Sequence, residues 1–219
     1  MPHTRSGYTE RSGRVIDCQR ESGITVFAAT RYNYPLSVGV FRYAQQDNIQ
    51  GVPVYRLIPK LIPLLSSRRK AKAVRQLVNL CLELKIDVLQ TTTGFENAEI
   101  VSLAAEKLQI PWTYEVRGEL EETWISKVPD DLQYLAQSSD YYRKARQNEE
   151  RAMASASKVI SLSEVSKGSL IKRGVDNSKI EVIPNGVDGL LLKQTITKDE
   201  ARKRICLLYT SDAADEEDS

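Results

Sequence analysis

Two polar clusters in the sequence combine residue types that bind anions and hydroxyl-rich ligands. The first is Ser6-Gly7-Tyr8-Thr9, followed by Arg11. Backbone amides at a glycine turn that opens a helix attract anions, and a nearby guanidinium adds positive charge. We therefore take Gly7, Tyr8, Thr9 and Arg11 as candidate ligand-binding residues. An ordinary turn rich in serine and glycine is the alternative that the residues leave open.

The second cluster follows a β-branched run that ends at Val116 and contains Arg117, Glu121 and Trp124. Thr92 and Thr93 end an earlier run of the same kind. Open α/β sheets bind ligands beyond the carboxyl ends of their strands, so both segments are predicted to line one crevice. Arg117 could hold a phosphate or carboxylate, a carboxylate could orient a hydroxyl, and Trp124 could stack on a sugar ring. A charged surface loop is the alternative.

A third segment, Ile183-Pro184-Asn185-Gly186-Val187-Asp188, is a strand end that turns through Asn-Gly. Asn-Gly by itself indicates only a turn. Its place after the last predicted strand is typical of a domain boundary.

Several other chemistries have no support in the sequence. There is neither a Gly-x-Gly-x-x-Gly nor a Walker motif, so nicotinamide and P-loop enzymes are not indicated. Three cysteines without paired spacing and a single histidine, His3, favour neither disulfides nor a metal site. No apolar stretch is long enough to span a membrane, and polar residues follow Met1, so a cytoplasmic location is expected.

The elements that position these residues alternate between short β-branched runs and helical patterns, which is typical of βαβ units around a parallel sheet. The predicted strands are Thr25 to Ala29, Val52 to Leu57, Val88 to Thr92, Trp112 to Val116, Lys158 to Leu162 and Ile180 to Ile183. The predicted helices are a first one that begins near Tyr8, a second over Arg68 to Leu84, a third over Ile100 to Leu108, a fourth that is capped by Asp140 and runs through Met153, and a fifth over Ser163 to Arg173 that Gly174 ends. The residues of the second helix predicted to face inward are Ala71, Val74, Leu77, Val78, Cys81 and Leu84.

One strand is missing from this pattern. A doubly wound fold normally opens with a strand that leads into a glycine loop, yet here the loop begins almost at Met1. We expect either that translation starts inside a longer gene or that the fold begins at the loop, and we favour the first. The fold is thus predicted to lack its first strand and to be marginally stable.

The C-terminus departs from the rest in charge. Five acidic residues and no basic one follow Cys206, so 31 basic residues stand against 24 acidic ones before it, a net charge of +7. The string from Cys206 onward resembles an in-frame translation of a sequencing adapter, and we expect residues 206–219 to be an artefactual, disordered tail. A genuine acidic C-terminus is the alternative.

The predicted helix after Leu65 presents a basic face. Its residues are Arg68, Arg69, Lys70, Lys72 and Arg75, and they follow the apolar Leu61, Ile62, Leu64 and Leu65. Such a pairing can dock on an anionic membrane surface, although a solvated helix face is the simpler explanation. Nucleic acid is not an expected partner, because the aromatic residues are not interleaved with basic ones.

Taken in order, these segments resemble a known family. The matching motifs are Ser6 to Thr9 with Arg11, Thr91 to Thr93, Ile110-Pro111-Trp112, Tyr114 to Gly118, Ala154 to Val165, Arg173-Gly174-Val175 and Pro184 to Asp188. This set resembles the N-terminal, acceptor-side half of family-four glycosyltransferases, which have the two-domain GT-B fold. The resemblance covers nearly all of residues 2 to 190.

The resemblance implies transfer of a sugar from a nucleotide-sugar donor to a glycan or lipid-linked acceptor, with retention of configuration and without a metal or other cofactor. Gly7 and Tyr8 would lie near the donor phosphates, Arg117 and Glu121 beside the acceptor, and Asn185 and Asp188 at the hinge to a second domain. It further implies a Rossmann-like domain over 1–190, an interdomain segment over 191–205, and a fragment inactive without its donor domain.

The pathway implied is cell-surface polysaccharide or glycolipid assembly at the inner face of the membrane. Many relatives carry a histidine in the turn filled here by Gln90 to Gly94, so no histidine role is transferred. Half of a nucleotide-sugar 2-epimerase and a non-catalytic sugar- or nucleotide-binding module are the alternatives. An epimerised donor in the absence of acceptor would indicate the first, and ligand binding by a folded single domain the second.

Overall fold

A computed structural model describes residues 6–40, 44–49, 51–59, 63, 65–187, 189, 193 and 196–204. The chain divides into two compact units, Met1–Pro184 and Asn185–Ser219. The first unit is α/β, as predicted. Its strands are β1 (Ala28–Ala29), β2 (Gln46–Ile49), β3 (Val52–Tyr55), β4 (Leu89–Thr92), β5 (Trp112–Val116), β6 (Lys158–Ser161) and β7 (Ile180–Val182). Its helices are α1 (Gly7–Glu21), α2 (Ser66–Leu84), α3 (Phe95–Leu108), α4 (Leu120–Ile125), α5 (Asp130–Gln137), α6 (Asp140–Ser155) and α7 (Glu164–Lys172).

Four parallel strands form the larger sheet, in the order β4-β5-β6-β7. Leu89 lies opposite Trp112, Tyr114 opposite Val159, and Ile160 opposite Glu181. Helices α3 and α6 cover one face, where Tyr114, Met153, Val159 and Leu170 are completely or almost completely buried. Tyr114, Glu115 and Val116 are consecutive and all buried, because a parallel sheet is covered on both faces.

The remaining strands form a separate sheet in the order β1-β3-β2, which a single parallel sheet does not predict. β1 and β3 are parallel, and β2 pairs antiparallel with β3. The sequence analysis missed β2 because Gln46, Asp47 and Asn48 have low strand propensity. Its turn into β3 needs the left-handed backbone of Gly51, whose φ is +80°.

Several predicted boundaries are corrected by the structure. Most predicted strands are too long by one to three residues. β1 lacks its first three predicted residues and keeps only Ala28 and Ala29, while β3, β6 and β7 end before their predicted last residues. Ala71 is exposed, because the buried stripe of α2 runs through Ala73, Val74, Leu77 and Cys81 instead. The cap of α6 is Ser139, whose hydroxyl accepts from the Tyr142 amide at 3.2 Å, and Asp140 is its first helical residue.

Other helix signals are confirmed. Ser163 caps α7, with its hydroxyl accepting from the Ser166 amide at 3.1 Å, and Gly174 follows the helix with φ +88°. The short helices α4 and α5 were not predicted. In the second unit, Thr197 and Glu200 form a reciprocal capping box before α8 (Lys198–Arg204).

No helix among the described residues is long and apolar enough to cross a membrane. Asp188, and Leu61, Ile62 and Leu64 before α2, lie outside the described residues, as does the predicted tail from Cys206 onward.

Candidate functional site

The carboxyl ends of the four parallel strands bring most of the predicted site residues to one edge of the sheet. Thr92 ends β4 and Thr93 follows it, while Arg117 and Gly118 follow β5. The Thr93 amide donates to the Glu115 carbonyl at 3.1 Å, and the Thr93 hydroxyl accepts from the Arg117 amide at 2.8 Å. The two polar segments predicted to share a crevice are therefore hydrogen-bonded neighbours.

Glu115 is the electrostatic centre of this edge. Its side chain is 1% exposed and lies between two guanidinium groups. Arg11 Nε donates to Oε1 at 2.5 Å, while Arg117 Nε and Nη2 donate to Oε2 at 2.9 and 2.6 Å. Because a buried carboxylate is tolerated only when paired and hydrogen-bonded, the two arginines make this buried charge possible.

The same arginines attach the N-terminal end of α1 to the strand ends. Arg117 Nη1 donates to the Tyr8 carbonyl at 2.7 Å and to the Ser12 hydroxyl at 2.8 Å. Arg11 Nη1 and Nη2 donate to the carbonyls of Pro184 and Ile183 after β7, at 3.2 and 3.0 Å. The guanidinium of Arg117 lies near the Tyr8 ring, 6.0 Å from its centroid. Ion pairs and hydrogen bonds of these two arginines thus join α1 to β5 and to the end of β7.

Approach of α1 to β5 also depends on Gly118. A Cβ at this position would lie 3.3 Å from the Tyr8 hydroxyl, which is tighter than ordinary contact. Ser6 caps α1 by accepting from the Thr9 amide at 3.4 Å. Gly7, Tyr8 and Thr9 therefore form the first turn of α1, beside Arg117.

A buried carboxylate that the sequence analysis missed holds the turn after β4. Glu149 Oε1 accepts from the Phe95 amide at 2.8 Å, and Oε2 accepts from the Tyr114 hydroxyl at 2.5 Å. Burial raises the pKa of the Glu149 carboxyl above its usual value, and the hydrogen bonds from Tyr114 and Phe95 partly offset this rise. Burial and the adjacent Glu149 also raise the pKa of Tyr114.

The sequence held a signal for this residue. Glu149 falls on the helical stripe formed by Tyr142, Ala145, Ala152 and Met153, all of which are buried. A carboxylate on an otherwise apolar stripe must have a partner inside the protein, which makes it a candidate positioning group. Gly94 belongs to the same turn, and a Cβ there would lie 2.7 Å from Leu120 Cδ1.

Glu121 and Trp124, which were predicted to contact a ligand, contact other side chains of the protein in the structure. Glu121 is completely buried, and its Oε1 lies 2.8 Å from Arg173 Nη1. The same Nη1 donates to Glu119 Oε2 at 2.9 Å. The Trp124 ring packs on Tyr141, with centroids 4.9 Å apart. Both side chains help to hold α4 against the rest of the unit, and their substrate roles stay predictions.

A crevice of about 320 Å³ opens beyond the carboxyl ends of β5 and β6. It is lined by Val116, Arg117, Gly118, Glu119, Glu122, Thr123, Leu162 and Ser166. Of the residues predicted as ligand-binding, only Arg117 lines this space, and its guanidinium is directed to Glu115 and α1. The carboxylates and hydroxyls of the lining come from the segment that follows β5 and from the start of α7.

A second cavity, of about 540 Å³, lies between α6 and the segment that precedes β7. Arg173, Asp176 and Lys179 contribute to its lining. Because Asp176 and Lys179 precede β7, this cavity is at the amino end of that strand, away from the predicted site. Within the residues the structure describes, no group of three or more His, Cys, Asp or Glu side chains could hold a metal ion.

The chain belongs to the glycosyl transferase 4-like domain family, whose model matches residues 6–186. This match confirms the resemblance to family-four glycosyltransferases. The matched residues are those of the α/β unit described above. No curated protein sequence matches the chain significantly.

Solved structures to which the chain is similar come from several organisms. Anabaena Alr3699/HepE in complex with UDP is 18% identical, with 72% of this chain and 37% of that chain covered and a TM-score of 0.49. A glycosyltransferase from Rickettsia africae ESF-5 is 13% identical, with coverage of 72% and 37% and a TM-score of 0.46. UDP-GlcNAc 2-epimerase from Methanocaldococcus jannaschii is 19% identical, with coverage of 60% and 31% and a TM-score of 0.42. The chain therefore spans between 31% and 37% of these proteins' lengths.

Proposed function

We propose that this chain is the acceptor-side domain of a retaining hexosyltransferase that uses a nucleotide-sugar donor. The observation that carries the proposal is the crevice beyond β5 and β6, in a chain whose family match covers the same strands. Ligands of open α/β sheets bind at this edge. The UDP and UDP-glucose complexes of the Anabaena protein support a nucleotide-sugar donor.

The lining of the crevice suits a carbohydrate acceptor better than a phosphate. Glu119 and Glu122 supply carboxylates, and Thr123 and Ser166 supply hydroxyls. Carboxylates accept hydrogen bonds from sugar hydroxyls, whereas they repel the phosphates of a nucleotide. Glu122 Oε1 is oriented by the Tyr142 hydroxyl at 2.5 Å, so this carboxylate is held in place before a ligand arrives. Glu119 is held similarly by Arg173 and Ser169.

Most of the cationic groups that bind the donor phosphates are expected in another part of the enzyme. Departure of a nucleoside diphosphate requires cationic or amide groups aimed at its phosphates, and in this proposal a second domain supplies most of them without a metal. The first turn of α1 is the part of this chain that would face the phosphates, through Gly7, Tyr8 and Thr9. We further propose that the chain is part of a longer enzyme and is inactive alone.

The acceptor is proposed to be a glycan or a lipid-linked sugar, in cell-surface polysaccharide or glycolipid synthesis at the inner face of the membrane. Support comes from α2, where Arg68, Arg69 and Arg75 are exposed and Leu65, which precedes the helix, is 57% exposed. Lys70 is paired with Glu99 at 2.5 Å. An exposed leucine beside exposed arginines suits contact with anionic lipid.

Saturation-transfer NMR on the whole chain, with a panel of free mono- and oligosaccharides, tests the acceptor role. A binding saccharide should lose at least about tenfold in affinity in Glu122→Gln, because a charged acceptor of its hydrogen bonds is removed. Glu106→Gln is the matched control, since this exposed carboxylate at the end of α3 lies at the opposite edge of the sheet. Absence of any saccharide signal, or an equal loss in both variants, would contradict the proposal.

The genomic reading frame tests the rest of the proposed enzyme. We expect the frame after Ile205 to continue into a second α/β domain with paired glutamates that bind the donor. A stop codon directly after the acidic tail as printed would count against the two-domain glycosyltransferase.

A further inference from the structure

Arg173 lies behind the candidate crevice and is not among its lining residues. Its side chain is 5% exposed and meets three carboxylates. Nη1 lies 2.9 Å from Glu119 Oε2 and 2.8 Å from Glu121 Oε1, and Nε lies 3.6 Å from Glu150 Oε1. Of these three carboxylates, that of Glu119 also lines the crevice. Glu119 is therefore the group through which Arg173 can act on a ligand in that space.

Helix α7 both lines the crevice and holds Glu119. Ser166, Ser169 and Arg173 follow one another at spacings of three and four residues, so they lie along one face of the helix and its C-terminal end. Ser166 lines the crevice, while the Ser169 hydroxyl donates to Glu119 Oε1 at 3.1 Å. Because Oε2 accepts from Arg173, each oxygen of this carboxylate has its own donor. The two donors fix both the position and the rotation of the Glu119 carboxylate.

Arg173 also has a structural partner in Glu121. This carboxylate is completely buried, and among the described residues neither of its oxygens accepts a hydrogen bond. The Arg173 guanidinium at 2.8 Å is therefore its countercharge. Because a buried carboxylate without a countercharge is strongly destabilising, removal of Arg173 would affect folding as well as Glu119. A test of Arg173 at the crevice must separate these two effects.

The second carboxylate of the crevice, Glu122, is held from the same side. Its Oε1 accepts from the Tyr142 hydroxyl at 2.5 Å. Arg146 Nη1 donates to that hydroxyl oxygen at 3.4 Å, and Arg146 Nε donates to Glu150 Oε1 at 3.0 Å. A chain of contacts thus joins the two crevice carboxylates from behind, through Glu119, Arg173, Glu150, Arg146, Tyr142 and Glu122.

We propose that Arg173 is a positioning residue for the acceptor sugar: it holds the Glu119 carboxylate in place beside Glu122, so that both accept hydrogen bonds from hydroxyl or amino groups of one sugar. A carboxylate that is already in place binds without the entropic cost of ordering a long side chain when the ligand arrives. Arg173 itself touches no ligand. This inference rests on the proposed function of the crevice.

Saccharide affinity of the whole chain tests this role. The probes are the methyl glycosides of glucose, galactose, mannose and N-acetylglucosamine, and NMR titration identifies the one that binds most tightly. Arg173→Lys keeps a cation beside Glu121 but loses the planar guanidinium that serves several carboxylates at once. Affinity for that glycoside should fall at least about fivefold, because the charged acceptor of its hydrogen bonds is no longer held in place.

The same substitution in a Glu119→Ala background is the decisive comparison. Without Glu119 there is no carboxylate to position, so Arg173→Lys should change the affinity less than about twofold there. The midpoint of thermal unfolding should fall in both backgrounds, because Glu121 is affected in each. The matched control is Arg56→Lys, since the completely buried Arg56 is paired with Asp47 in the smaller sheet. It should lower the midpoint and leave the affinity unchanged.

A second measurement needs no substitution of Arg173. The Nε–H signal of the Arg173 side chain is followed by NMR in the original chain and in Glu119→Ala, each at saturating glycoside. The signal should shift on binding in the original chain and stay in place in the variant, because Arg173 senses the ligand only through Glu119. The Arg56 signal should not move in either chain.

The outcomes that overturn the inference also separate it from the proposed function. If a glycoside binds the original chain and Arg173→Lys equally well, or if the affinity falls equally in both backgrounds, Arg173 has only a structural role and the acceptor crevice stands. An Arg173 signal that does not respond to bound glycoside has the same meaning. If none of the glycosides binds the original chain, the proposed function and this inference fail together.

Discussion

Glu115 is the residue on which the candidate site depends most. It lies between Arg11 and Arg117, and these arginines in turn bind the first turns of α1 and the carbonyls after β7. The arginines were predicted to hold a ligand, and the structure directs their guanidinium groups to protein acceptors. Their measurable contribution is therefore expected in stability as well as in binding.

Glu115→Gln should lower the free energy of unfolding by about 3–5 kcal/mol, because it leaves two largely buried guanidinium groups without a countercharge. Urea denaturation followed by circular dichroism measures the change. Glu181→Gln is the control, since its pair with Lys158 is about half exposed and should contribute about 1 kcal/mol or less. Equal effects of the two substitutions would show that the Glu115 cluster is not a structural centre.

Glu149 should make stability depend on pH. Burial raises its folded-state pKa above the unfolded value of 4.5, so at pH values between the two pKa values the folded state binds more protons than the unfolded state. Stability from this group is full below the unfolded pKa and is lost as pH rises through the folded pKa. Glu121 and Arg173 also act on this carboxyl, in opposite directions.

The comparison uses Glu149→Gln in urea unfolding at several pH values from 4.5 upward. The free energy of unfolding of the original chain, relative to that of the variant, should fall as pH rises. Glu106→Gln should show no such trend, because Glu106 is exposed on α3. A difference that stays flat with pH would mean that the Glu149 proton is not linked to folding.

At the level of elements, α1 and α2 use their surfaces in different ways. Helix α1 is joined to β4, β5 and the segment after β7 through polar side chains, whereas α2 packs an apolar stripe on α3. The outer face of α2 keeps Arg68, Arg69 and Arg75 exposed. This face is the surface proposed to meet an anionic membrane.

Replacing Arg68, Arg69 and Arg75 together by alanine should reduce binding to vesicles that contain phosphatidylserine. Each basic residue near such a surface contributes about 1 kcal/mol, so the loss should approach about 100-fold at low salt. Flotation with vesicles measures it. The matched control replaces Arg143, Lys144 and Arg151, which are exposed on α6. Equal losses would indicate an effect of net charge alone.

The whole molecule consists of two units that divide after Pro184. Both apolar clusters lie within the first unit, as do the Ile183 and Pro184 carbonyls that accept from Arg11. The predicted domain boundary near 190 and the hinge role of Asn185 and Asp188 stay predictions.

Truncation to residues 1–184 should leave the midpoint of thermal unfolding within a few degrees of that of the full chain, because the buried core is retained. Differential scanning calorimetry measures both chains. A truncated chain that fails to give a cooperative transition would show that residues 185–219 contribute to the core of the first unit.

Sequence alone determined the fold class, the family and most helices. These follow from local patterns: the apolar spacing within α2 and α3, the β-branched run of β5, the Ser163 cap, and Gly174 with its positive φ. Each of these signals lies within a few residues along the chain, so no long-range contact is needed to read it. The short strand β2 escaped because its pairing with β3, and not its own composition, makes it a strand.

Tertiary structure alone decided which polar side chains face the crevice and which hold the protein together. Arg11, Arg117, Glu115 and Glu121 look equally available in the sequence. Yet Arg11 bonds to Glu115 and to the Ile183 carbonyl, Arg117 to the Tyr8 carbonyl, and Glu121 to Arg173, each across more than 50 residues of chain. Buried charges must find partners wherever folding places them.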